Sequence, residues 1–127
     1  MSIKKLMRSR SFSIACVLAA GLISQQALAH AHLKTETPSA DSQVATAPTE
    51  LTLGFSEGVE PSFSKVELTG ANNKPVKTGD LKLATNDNTQ VLITLPTPLV
   101  SGNYVVSWHV VSVDGHKTQG KYSFSVK

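Results

Sequence analysis

Short alternations of apolar and polar residues recur along the C-terminal three quarters of the chain, with turn residues between them. Leu51, Leu53 and Phe55 alternate with Thr52, Gly54 and Ser56, which is the period of a strand buried on one face. Val66 and Leu68 repeat the pattern. Val91, Ile93 and Leu95 form another set, which Pro96 and Pro98 close. Ala71-Asn72-Asn73-Lys74-Pro75 is a turn by composition, because Asn tolerates left-handed geometry and Pro fixes φ. Ser101-Gly102-Asn103 turns the chain into its longest β-rich run, Tyr104 to Val113, where Tyr104, Val106, Trp108 and Val110 share one face. Tyr122, Phe124 and Val126 make the last strand, with Lys121, Ser123 and Ser125 opposite. No helical period competes with these. About seven short strands in roughly a hundred residues predict an all-β fold, an immunoglobulin-like antiparallel β-sandwich with Trp108 in its core. Leu99, Gly102 and Tyr104 have the spacing of a tyrosine corner, with a plain core tyrosine as the alternative. Residues 38–48, rich in Ser, Ala, Thr and Pro, read as an ordered loop between the first two strands.

The first residues follow a different pattern. Lys4, Lys5, Arg8 and Arg10 precede an apolar run from Phe12 to Ile23, and Ala27-Leu28-Ala29 then gives the small-x-small pattern of a signal-peptidase site. The run is shorter than the roughly 20 apolar residues that a spanning helix needs. Cys16 lies within it without a good lipobox. The expected organisation is a secretory signal peptide, residues 1–29, cleaved to leave a single domain, residues 30–127, with no membrane insertion afterwards.

Cleavage changes the composition. The remaining chain carries eight Lys, no Arg and nine acidic residues, so its formal charge is −1 and not the +3 of the whole sequence. The basic character belongs to the signal, and nothing points to nucleic acid. Both methionines (Met1, Met7) and the only cysteine (Cys16) also leave. No disulfide can brace the fold and no thiolate can act as nucleophile. Any metal must be held by nitrogen and oxygen.

Two features then stand out. His30 becomes the first residue, and its α-amine and imidazole Nδ1 can chelate one ion together. Nitrogen donors suit copper(II), which stands highest in the Irving–Williams order. In Asp114-Gly115-His116, read as an extended segment, residues i and i+2 face the same side, so the carboxylate and imidazole can share that ion. Taken alone, each feature has a bland reading, a surface turn or an incidental histidine. His32 leaves an alternative open, because amine, two amides and a histidine at position three form a competing chelate for copper(II) or nickel(II). His109 alternates with Trp108 and so faces away from the core.

The start His30-Ala31-His32-Leu33, the segment Leu53-Gly54-Phe55-Ser56-Glu57-Gly58-Val59 and the run Trp108-His109-Val110-Val111-Ser112-Val113-Asp114-Gly115-His116-Lys117-Thr118 resemble the CopC family of periplasmic copper-resistance proteins, closest to a short branch of it. The resemblance implies an immunoglobulin-like or cupredoxin-like Greek-key β-barrel with one copper(II) ion bound at one end. It carries the ligand roles to His30, Asp114 and His116, and places Glu57 near the ion as a supporting residue. It further implies a carrier or buffer in copper homeostasis and resistance, in the periplasm of a Gram-negative bacterium, with a CopD-like inner-membrane protein as partner. The methionine-rich copper(I) site of some members has no counterpart here. A histidine-brace copper oxygenase and a metal-free interaction module are the alternative functions. Asp114 argues against the first, since it fills a position that oxygen would need, and no hydrolase arrangement stands out around Ser112.

Overall fold

The computed structural model describes residues 31–127; the expected signal peptide, 1–29, and His30 lie outside the described residues. Nine strands follow in order: β1 (Leu33–Thr37), β2 (Gln43–Val44), β3 (Glu50–Phe55), β4 (Lys65–Thr69), β5 (Pro75–Val76), β6 (Leu81–Ala84), β7 (Asp87–Thr94), β8 (Gly102–Val111) and β9 (Lys117–Val126). Among the described residues the only helical pieces are two 3₁₀ turns, Pro61–Phe63 and Ala71–Asn73. The strands form two sheets, ordered β1-β3-β7-β6 and β2-β9-β8-β4-β5. The expected β-sandwich is the observed one.

The alternations read from the sequence are the two inner faces. Leu51, Leu53 and Phe55 with Val91 and Ile93 line the first sheet. Val66, Leu68, Tyr104, Val106, Trp108, Val110, Tyr122, Phe124 and Val126 line the second. Phe55 and Trp108 meet edge to face across the core, their ring centroids 5.2 Å apart. The Tyr104 hydroxyl donates to the Val100 carbonyl at 2.6 Å, so Tyr104 is the corner tyrosine and not merely a core residue. Asn72 and Asn73, predicted in a turn, both take positive φ.

Two features depart from the reading. The stretch 38–48 contains β2, which pairs with β9 in parallel at Gln43↔Ser125 and Val44↔Val126, so the sandwich is not wholly antiparallel. A further strand, β6, flanks β7. Its Leu81 and Leu83 are only partly buried, because β6 is an edge strand, and a four-residue edge carries little alternation to detect.

The β8–β9 hairpin is the longest ladder, in continuous register from Gly102↔Val126 to Val111↔Lys117. Within it Trp108 sits opposite Gly120, and a Cβ at that glycine would overlap the indole. Gly120→Ala therefore forces a buried, stiff ring to move. The expected loss is about 1–3 kcal/mol, the usual cost of overpacking, read as a lower urea midpoint together with a shifted Trp108 emission.

Candidate metal centre

The inward row of β8 runs Tyr104, Val106, Trp108, Val110 and continues to Ser112, which is fully buried. A buried hydroxyl needs a partner. Here it donates to Asp114 Oδ1, and its oxygen lies 3.3 Å from the His116 carbonyl. The backbone closes the turn around it. Ser112 N–H donates to the His116 carbonyl at 2.9 Å, and Gly115 N–H donates to the Ser112 carbonyl at 2.8 Å. Gly115 has φ of 88°, a left-handed conformation that glycine adopts without a side-chain penalty.

The extended reading of Asp114-Gly115-His116 is thus corrected, since these residues make the turn of the β8–β9 hairpin. The two side chains still meet, for another reason. Asp114 folds back over the turn. Its Oδ1 accepts the His116 N–H at 3.3 Å and its Oδ2 lies 3.0 Å from His116 Nδ1. Both side chains are about half exposed, at 40% for Asp114 and 50% for His116, so the pair faces solvent.

These contacts set the charge. The Ser112 hydroxyl, then the His116 side chain, hold the Asp114 carboxyl down to about 2 from an ordinary 3.8, with desolvation opposing them. The group is a carboxylate throughout the neutral range, as a metal ligand must be.

The segment after β3 packs on this hairpin. Val113 N–H donates to the Gly58 carbonyl and Glu60 N–H to the Val111 carbonyl, at 2.9 and 2.8 Å, and Val59 bridges Ser112. Glu57, half-buried, precedes Gly58 and so stands at the same end. The described N-terminus arrives there too. Ala31 is fully buried in the core, and His32 exchanges two hydrogen bonds with Ser56: His32 N–H to Ser56 Oγ at 2.8 Å and Ser56 N–H to the His32 carbonyl at 2.8 Å. His109 is exposed on the outer face of β8, between Lys65 and Gln119, as its alternation with Trp108 predicts.

The fold therefore brings Asp114 and His116 together, with Glu57 and His32 at the same end of the sandwich and His30 outside the described residues. Among the described residues no group of three or more His, Cys, Asp or Glu gathers in a metal-holding arrangement. Sequence reasoning weighed Ser112 only as a nucleophile and missed its structural role. The signal was present, because the two-residue period of β8 places Ser112 on the core face, two residues before a carboxylate.

These features define a β-sandwich protein with an aspartate–histidine pair on the hairpin at one end. The chain belongs to the CopC family: the CopC domain matches residues 33–127. It is 47% identical to the protein YobA of Escherichia coli, over 94% of this chain and 96% of that one. It is 36% identical to copper resistance protein C of Xanthomonas campestris pv. juglandis, over 87% of this chain and 91% of the relative. Among solved structures it matches CopC from Methylosinus trichosporium with a TM-score of 0.72 at 35% identity, covering 77% of this chain and 94% of that one. It matches PcoC, a methionine-rich copper resistance protein from Escherichia coli, with a TM-score of 0.69 at 38% identity, covering 78% of this chain and all of that one.

Ser112→Ala removes the first cause of the depressed Asp114 pKa. In the metal-free protein the carboxyl titration, followed by carbon NMR, should rise from about 2 towards 3.8. Because the folded value lies below the unfolded one, Asp114 contributes stability above about pH 3.8 that is lost as pH falls through about 2. The variant should give up part of that contribution, and its acid unfolding should begin at higher pH.

Proposed function

We propose that this chain is a periplasmic copper(II) carrier or buffer acting in copper resistance, exported by a signal peptide that ends at Ala29. Copper is its cargo, held by the amine and imidazole of His30 and by Asp114 and His116. The observation that carries the reading is the Asp114–His116 pair at the end of the sandwich where the chain enters through Ala31 and His32. The donor chemistry fits. Beyond residue 29 the sequence has no sulfur, so the set is nitrogen and oxygen, which copper(II) accepts in a tetragonal plane. His116 Nδ1 and Asp114 Oδ2 lie 3.0 Å apart, and Nε2 is on the far side of the ring, so an ion shared by the two residues would take the place of the proton between Nδ1 and the carboxylate. A plane filled by Asp114 favours holding an ion over oxygen chemistry, by the contrast between closed and open metal sites. Relatives named for copper resistance support the cargo. Among the described residues no helix is long and apolar enough to cross a membrane.

The processed protein, its start at His30 verified by intact mass, should bind one copper(II) ion with an axial paramagnetic spectrum. An added alanine ahead of His30 should weaken binding, and so should His116→Ala. Each loss should exceed the roughly 10–100-fold typical of losing an outer-shell partner. Affinity should fall as pH falls, because the amine and imidazoles must shed protons to bind. An extended terminus with unchanged affinity and spectrum refutes the site.

A further inference from the structure

His32 is tied to Ser56 at both of its backbone polar groups, and Ala31 before it is fully buried. One residue further on, Leu33 is already in register with Phe55. A chain that starts at His30 therefore has a single residue before the buried Ala31. The sequence His30-Ala31-His32 nevertheless offers a metal a second arrangement: terminal amine, the amide nitrogens of Ala31 and His32, and the His32 imidazole, four nitrogens in one plane. Forming it requires both amide nitrogens to turn onto the ion and release their protons to solvent. In the fold, the His32 nitrogen points its hydrogen at Ser56 Oγ, 2.8 Å away, and the Ala31 methyl is in the core. The wrapped chelate would have to break the first contact and unpack the second.

We propose that Ser56 selects the coordination mode: by holding the His32 amide it denies the terminal His-Ala-His segment to a four-nitrogen chelate and reserves the amine for the site shared with Asp114 and His116. The proposal rests on the reading of His30 as first residue and ligand. Its consequence is metal selectivity. A square-planar four-nitrogen site suits nickel(II) as well as copper(II), so the Ser56 clamp works against nickel. Ser56 is exposed and lies beyond the end of β3, so its replacement leaves the core residues in place.

The test uses protein exported and processed to start at His30, with nickel(II) and copper(II) salts as probes. Ser56→Ala should admit nickel in a diamagnetic, yellow, square-planar form, with affinity raised about tenfold, the scale of one lost hydrogen bond. Wild type and Ser56→Thr, which keeps a hydroxyl, should form it about tenfold more weakly. Adding His32→Ala to Ser56→Ala should abolish the nickel species. The copper spectrum of Ser56→Ala should move towards four equatorial nitrogens. Identical nickel and copper spectra for wild type and Ser56→Ala overturn the proposal. If Ser56→Ala fails to fold, hydrogen exchange at the His32 amide of wild type decides: slow exchange supports the clamp, and exchange at the free-peptide rate overturns it. His116→Ala in the wild-type background separates the two readings. If it changes the copper spectrum while Ser56→Ala admits no nickel, the shared site stands and the role of Ser56 falls. If it leaves the copper spectrum unchanged, the shared site itself fails.

Discussion

A hydroxyl at the end of a core-facing row governs the geometry of this site. Ser112 occupies the position that the two-residue period of β8 assigns to the interior, and it is fully buried there. A polar group in that position costs stability unless it is hydrogen-bonded. The partner that satisfies it is Asp114, two residues later, and the carboxylate must fold back over the turn to reach it. Once there, its two oxygens also collect the His116 N–H and imidazole. Val59, joined to Ser112 by a bridge, anchors the exit of β3 to the same point. Core packing thereby sets the orientation of two side chains that are themselves half exposed, which places the pair more firmly than an exposed turn would.

The long strands were legible because a face buried against a second sheet imposes strict alternation. Leu51 to Phe55, Val91 to Leu95 and Tyr104 to Val110 show it. The short elements were not. In β2, two residues, Gln43 and Val44, cannot display a period, and their parallel pairing with β9 depends on where the chain crosses between sheets. In β6, edge position leaves Leu81 and Leu83 only partly covered. At the site, the residue types were legible and the local conformation was not. Asp114-Gly115-His116 fits both an extended segment and a turn, and the choice is made by Ser112 and by hydrogen bonds that close the hairpin. The role of Ser56 was equally hidden, since nothing near Ser56 in sequence identifies His32, 24 residues earlier, as its partner.

Chemistry narrows the function further than fold does, because a β-sandwich hosts many activities. The comparison with PcoC, a methionine-rich relative, is informative for what differs. Here both methionines precede residue 29, so a soft sulfur site cannot form in the domain that matches the family. Nitrogen and oxygen donors suit the harder oxidation state of copper, which is why the proposed function takes copper(II) as the cargo.

The position of the expected cleavage site matters as much as the ligand types. Ala31 is packed in the core and His32 is held to Ser56, so the proposed first ligand directly precedes a buried residue. Ordering one residue costs about 1–2 kcal/mol of backbone entropy. A terminal amine several residues further out would add that cost for each residue and would spend most of its time away from the hairpin. Placing the amine one residue from a buried alanine keeps the cost of closing the site small, and a pre-ordered partner pair on the hairpin keeps it small on the other side as well. The same closeness restricts the wrapped His-Ala-His chelate. On the two proposals made above, one short entry into the sandwich would serve affinity and selectivity together.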